Sequence, residues 1–499
     1  MEVKFNKNAC PCLRKATCQV QNQEQTGEVR LPESMPDIGR VLGSWGQVLV
    51  RGKEWRTGGM SVSGGVMAWV LYAPEDGSEV RSVQTWIPFQ VKWDFPETER
   101  DGSICVTPQL KGVDARSTSA RKLMVRVNVS LLGEALEPIE PEVCCPGQIP
   151  EDVQLLTKSY PAELPQEAGE KLFQVDEELN LPGNLPGVDK ILRYSLTPEV
   201  VEQKVMAGRL VFRGKALLHL LYSDADGGIH SWDHEIPFSQ YTELDRDHSA
   251  HADGWIMVVL TSLEMERQEE RKLALKASMA AQYVIYDRVM VEVVEDAYSP
   301  VRAVDVTVQE LNLPVRLDSK RENLHIAQSM QANGERPLDV SWQPEHPVRR
   351  QNGDMTELIL PGQFQTLYHD ENGNLQFSSA RGETAWQIPS DAHNTLDAYL
   401  HAFDMPHAAF SADTLDMGVD VAVEAAVFSE EGIPMVTALE IGEVREPDPG
   451  RPSVILRRAG EKCLWDIAKE CGTTVDAIKK ANQIQEEPDN GRMLLIPVP

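Results

Sequence analysis

Leu71-Tyr72-Ala73-Pro74-Glu75-Asp76-Gly77 and, a short run later, Trp86-Ile87-Pro88-Phe89 form a pattern that the chain repeats. It returns as Leu221-Tyr222, Asp226-Gly227 and Glu235-Ile236-Pro237-Phe238, and again as Leu367-Tyr368, Asn372-Gly373 and Gln387-Ile388-Pro389-Ser390. In each copy an alternating apolar run ends in Leu-Tyr. The Asp-Gly or Asn-Gly pair supplies the positive φ angles of a tight hairpin. A second strand then leads to Ile-Pro. Its proline has no N–H to give to a ladder and is expected to mark the end of the strand.

Other segments repeat in step. Leu31-Pro32-Glu33-Ser34-Met35-Pro36 recurs as Leu181-Pro182-Gly183-Asn184-Leu185-Pro186, and Arg121-Lys122-Leu123 as Arg271-Lys272-Leu273, at an offset of 149 to 150. A third, more divergent copy is expected to start at Leu311-Asn312-Leu313-Pro314, without the second proline. Further alternating runs close each copy: Leu123 to Leu131, Met257 to Leu263, Val289 to Val294 and Val419 to Val427. Several hairpins of this kind bury their apolar faces best in a sandwich or open barrel. The fold class expected is mainly β. The expected boundaries are a first β repeat at 1–137, a linker at 138–169, a second repeat at 170–300 and a divergent third at 301–445. The linker rests on six prolines between Glu137 and Gly169. A second proline-rich spacer at 446–452 precedes a small unit at 453–499.

That last unit reads as β-α-α-β. Val454 to Leu456 alternate as a strand. Leu464, Trp465, Ile467 and Ala468 share one side of a helix. Gly472 suits the left-handed position that ends it. Thr473 with Asp476 resembles a capping box for a second helix, with Val475, Ile478 and Ala481 on its inner face. Met493 to Ile496 form the closing strand.

A chain of 499 residues should divide into several cores. No apolar run approaches the ~20 residues of a membrane helix, and residues 1–8 do not resemble a signal peptide. Cytosolic residence is expected. The net charge is −29, whereas residues 453–499 carry seven basic and seven acidic side chains. An acidic body of this kind argues against binding of nucleic acid or insertion into an anionic membrane, and makes the neutral tail the expected contact module.

No catalytic constellation stands out. Gly59-Met60-Ser61-Val62-Ser63 has serine where a nucleophile elbow needs its second glycine. His230 and His234 are four apart, but on a strand that separates them by ~13 Å. They, His248 and His251 are expected at the surface. Asp224-Ala225-Asp226-Gly227 lacks the twelfth-position glutamate of a calcium loop, and a hairpin explains it. Cys10, Cys12, Cys18, Cys144 and Cys145 match no zinc spacing. Cys463 and Cys471 at the two ends of one helix would lie ~12 Å apart, too far for a disulfide. The expectation is a binding or scaffold protein with no catalytic residue, metal or cofactor.

The order and spacing of 453–499 resemble a LysM module, a fold best known for binding N-acetylglucosamine glycans. Three β repeats followed by one LysM resemble the SipL-type family of endospore-forming bacteria, whose repeated domain is called SPOCS. The resemblance implies a scaffold on the mother-cell side of the forespore surface. It would dock onto the morphogenetic ATPase that founds the spore coat. It also implies a shallow groove, with one wall formed by Gly460, Glu461, Lys462, Cys463 and Leu464 and the other by Asn482, Gln483 and Ile484. Trp465 is expected in the core. The first wall departs from the usual Gly-Asp-Thr-Leu-Trp by one extra residue, which would move its backbone groups by ~3 Å. Protein docking is therefore the preferred reading, with peptidoglycan binding in cortex or cell wall as the alternative. Lys462 and Ile484 are expected to carry partner binding without carrying the fold.

Overall fold

A computed structural model describes residues 2–206, 208–353, 355–389, 394–429, 431–445, 450, 452–460 and 462–498. Ser390, Glu461 and most of the expected spacer at 446–452 lie outside them. The chain is mainly β, with two short helices near its end.

One strand order occurs three times. In the first body Cys12–Arg30, Lys122–Ile139 and Ser103–Ser119 form one sheet, and Ile38–Arg56, Gly59–Pro74 and Arg81–Asp94 the other. The second body repeats this with Gln154–Asn180, Lys272–Tyr298 and Asp253–Glu269, facing Lys190–Met206, Arg209–Ser223 and Ile229–Glu243. The third body does so with Arg316–Gln331, Thr414–Ser429 and Asn394–Phe403, facing Pro337–Pro344, Met355–His369 and Leu375–Pro389. Each pair of sheets encloses its own apolar core.

The repeated motifs converge on one end of the body. Gly77, Gly227 and Gly373 take φ of 72°, 80° and 78°, as their hairpins require. The Tyr72 hydroxyl donates to the Pro36 carbonyl at 3.1 Å, and Tyr222 to Pro186 at 3.0 Å. Arg121 donates to the carbonyls of Met35 and Pro32 at 3.2 and 2.8 Å. Arg271 does the same to Leu185 at 2.9 Å and to Pro182. The Leu-Pro-x-x-x-Pro turn, the tyrosine and the arginine are thus three parts of one hydrogen-bonded corner.

Strand alternation sends the two residues of Leu-Tyr to opposite faces. Each tyrosine enters its own body. Leu71, Leu221 and Leu367, all fully buried, meet one another outside. The three bodies therefore pack around a shared centre. A second apolar layer joins Leu136 and Cys105 of the first body, Trp255 and Tyr286 of the second, and Tyr399 and Phe428 of the third.

Several expectations need correction. The stretch 138–169 is not a linker: Glu142–Pro146 is a strand, and Gln154–Asn180 pairs along its length with Lys272–Tyr298. Pro161 and Pro165 sit on an edge strand, where only alternate N–H groups face the ladder and proline is tolerated. For the same reason Pro88 and Pro237 lie within edge strands and do not end them. Leu311 and Leu313 do not open the third copy. The counterpart of Leu31, whose N–H bonds to Arg121, is Ala332, whose N–H bonds to Asp413. His248 is buried, 3.2 Å from Glu167.

The segments before, between and after the bodies form a core of their own. Strands Phe5–Ala9, Glu142–Pro146, Arg302–Leu311 and Ile433–Val444 join the outer half of the long Gln154–Asn180/Lys272–Tyr298 strand pair of the second body. Cys10, Cys12 and Cys144 pack there as free thiols. Burial pushes the Cys12 thiol up to about 12.

Candidate functional site

The unit at the chain's end consists of antiparallel strands Val454–Arg458 and Met493–Pro497 with helices α1 (Leu464–Cys471) and α2 (Val475–Asn482). Gly472 closes α1 at φ 60°. The cap of α2 is one residue later than the sequence suggests: Thr474 Oγ1 accepts from Ala477 at 3.1 Å, while Thr473 is buried. Leu464, Ile467, Ala468, Ile478, Leu494 and Ile496 make the core. Ala481 is exposed, because α2 is short and only its middle turn faces inward.

Several of the expected groove residues bond within the unit, and Glu461 lies outside the described residues. The Leu464 N–H donates to Glu487 at 2.9 Å, and its side chain is fully buried. Glu487 thus ties the first wall to the connection beyond the second. Lys462 pairs with Glu470, which also holds Arg457 at 2.7 Å. The exposed Cys463 precedes α1 and points its thiol at Asp466, 3.2 Å away. Asn482 clips the closing strand: its Nδ2 donates to the Leu495 carbonyl at 2.6 Å, and its Oδ1 accepts from the Leu495 N–H at 2.8 Å. Gln483 holds a left-handed backbone at φ 51°. Ile484 packs half-buried against the unit's core. Gly460 is exposed with open space beside it. Lys462 and Ile484 thus also have contacts within the unit, Lys462 at its surface and Ile484 against its core.

Trp465 has a double role that the sequence showed only in part. It is nearly buried, but much of its cover comes from the second body. Its ring meets Tyr298 edge-on at 4.7 Å, and Tyr298 Oη donates to the Thr473 carbonyl at 2.9 Å. Lys469 pairs with Asp296 at 2.7 Å. Helix α1 is thereby docked on the end of the Gln154–Asn180/Lys272–Tyr298 strand pair.

The opposite side is open. Val454, Leu456, Met493 and Leu495 are 47%, 68%, 54% and 40% exposed. Register places Leu456 across from Leu495 and Arg458 across from Met493, so these residues share the outer face of the ladder. The alternation of 453–499 contained this signal, but alternation alone does not say which face is covered.

The centre of the molecule holds the other concentration of charge. Lys15 of the first body pairs with Glu134 at 2.5 Å and with Asp397 of the third. Tyr399 donates to Glu134 at 2.6 Å. Burial alone would lower the Lys15 ammonium; Glu134, Tyr399 and Asp397 instead hold it well above its usual value. Nearby, Arg193 of the second body pairs with Asp339 of the third at 2.9 Å and stacks on Trp45 of the first at 4.8 Å. Burial would raise the Asp339 carboxyl, but Arg193 and His219 bring it down to about 2. His230 bonds Asp224 at 2.7 Å, which fixes the hairpin without an ion.

The structure defines a mainly β protein of three like bodies with a small β-α-α-β unit. Residues 187–265, within the second body, match the family model described as SipL, SPOCS domain. The match points to a sporulation-related protein, and the SipL family is not a known enzyme family. No curated protein and no solved structure matches the chain. Among the described residues no helix is long and apolar enough to cross a membrane.

Proposed function

We propose that this protein is a non-enzymatic scaffold of endospore coat assembly, in which all three bodies are SPOCS domains and the β-α-α-β unit is a LysM fold used to dock a protein. The partner implied by the resemblance is the coat morphogenetic ATPase, at the mother-cell side of the forespore. The observation that carries this reading is the exposed apolar ladder face of Val454, Leu456, Met493 and Leu495. An apolar face rimmed by charge suits a protein surface. For the glycan alternative the Leu464 N–H and the Asn482 amide are already engaged, by Glu487 and Leu495.

A pull-down of the purified coat ATPase with the full chain tests the reading. Leu456→Asp and Leu495→Asp should remove capture while leaving circular dichroism unchanged. Saturable binding to purified peptidoglycan, with no capture of the ATPase by the unmodified chain, would overturn it.

A further inference from the structure

The closing unit carries a two-stranded sheet, and its two edges are treated differently. At the outer edge of Met493–Pro497, Asn482 takes both backbone groups of Leu495. Its amide stands in for one residue of a neighbouring strand, and helix α2 lies alongside. That edge is closed.

The same two bonds fix which way the other edge points. The Leu495 backbone faces Asn482, away from Val454–Arg458. Directly opposed residues of an antiparallel pair either bond each other or both turn outward. Leu456, opposite Leu495, therefore turns its N–H and C=O outward. Val454 and Arg458 do the same by alternation. Ser453 and Ala459, on the other parity, face the ladder: Ser453 accepts from Val498 at 3.0 Å and Ala459 donates to Arg492 at 2.7 Å. Such an edge is normally blunted by proline, a bulge or a covering strand. Val454–Arg458 has none of these. Among the described residues the outward backbone groups of Val454, Leu456 and Arg458 have no hydrogen-bond partner.

Beside this free backbone runs a row of exposed side chains. Val454 and Leu456 are apolar. Arg458 is exposed and makes no ion pair among the described residues, whereas Glu470 holds both Arg457 and Lys462. A strand added here would set its alternate side chains directly across from two apolar groups and a cation. We infer that the outer edge of Val454–Arg458 takes up an extended peptide segment by antiparallel strand addition, with an acidic residue opposite Arg458 and apolar residues opposite Leu456 and Val454. Backbone bonds supply affinity in this mode, and alternate side chains supply selectivity. A second copy of the chain suits the edge less well. Two-fold pairing about Leu456 would set Arg458 against Val454, and two chains of net charge −29 repel. The inference rests on the reading that this unit docks a protein, and adds the mode of docking and the kind of segment.

The test uses the full chain and a short peptide with Glu, Ile and Val, in that order, at alternate positions and Thr between them. Saturable binding by fluorescence anisotropy is expected, with slowed exchange of the Leu456 amide. Replacing the peptide's Glu by Lys should weaken binding severalfold, and Arg458→Glu should reverse that preference. Leu456→Pro removes an N–H that no ladder bond uses and should weaken binding roughly tenfold or more. Arg458→Glu carries the test if that variant fails to fold. No binding of the Glu peptide up to several millimolar would overturn the inference. So would equal affinity for the Glu and Lys peptides, or a dimer of the full chain that Leu456→Pro abolishes. Capture of the coat ATPase with the Leu456 amide still exchanging freely would overturn strand addition and leave the docking reading intact. Peptide binding without capture of the ATPase would support strand addition and overturn the choice of that partner.

Discussion

The indole N–H of Trp465 donates to the Asp296 carboxylate at 2.8 Å, and Lys469 reaches the same carboxylate. One side chain of the second body thereby receives two from helix α1. The ion pair is part-exposed and contributes little by itself; the indole bond to a charged acceptor is worth about 2 kcal/mol. Asp296→Ala should release the C-terminal unit without unfolding it, because Leu464, Ile478, Leu494 and Ile496 form a core that does not need Asp296. Small-angle scattering should show a larger radius of gyration. An unchanged radius would mean that Tyr298 and Leu156 suffice.

Lys15 links Glu134 of the first body to Asp397 of the third. Lys15→Ala leaves the nearly buried Glu134 without its cation and Asp397 with only Arg349, 3.8 Å away. We expect a loss of about 3 kcal/mol, at the low end for such pairs because the lysine side chain is 26% exposed. Chemical denaturation of the full chain measures it. Lys15→Met, which keeps the stem, should lose nearly as much if charge is the cause.

The corner motif of the first two bodies can be taken apart stepwise. Tyr222→Phe removes one hydrogen bond to Pro186 and should cost about 1 kcal/mol. Arg271→Ala frees several carbonyls at once and should cost more, roughly 2 kcal/mol. Amide exchange should quicken at Leu181 and Leu185, whose N–H groups lie in that corner. Protection equal to that of the unmodified protein would show the arginine to be dispensable.

His346 Nε2 donates to the Ser130 carbonyl at 3.2 Å, across the junction of third and first bodies. Burial pushes its imidazole down to about 4 from 6.5. The folded state therefore resists protonation that the unfolded chain accepts. The associated stability is fully present above about pH 6.5 and is lost as pH falls through about 4. The full effect is on the order of 3 kcal/mol. His346→Gln keeps a donor and removes the titration, so urea midpoints should vary less with pH in this window. An identical slope in the variant would place the acid sensitivity elsewhere.

Much of the fold was legible because local rules sufficed. The Asp-Gly and Asn-Gly turns, the alternation of Leu123 to Leu131, and the glycine that ends α1 all depend on neighbours in sequence. The edge-strand prolines were misread for the opposite reason. Whether Pro88 or Pro161 breaks a ladder depends on which side of the strand is paired. The bonding of the second wall was illegible likewise: nothing near Asn482 in sequence says that Leu495 will take both ends of its amide.

The sequence by itself determined a mainly β chain, the repeat offset, and a β-α-α-β end, since strand and helix periods are written in the order of apolar residues. Only the tertiary structure decided that Leu71, Leu221 and Leu367 meet and that the supposed linker pairs with Lys272–Tyr298. A strand's alternation assigns its residues to two faces, but what covers the outer face depends on residues hundreds of positions away.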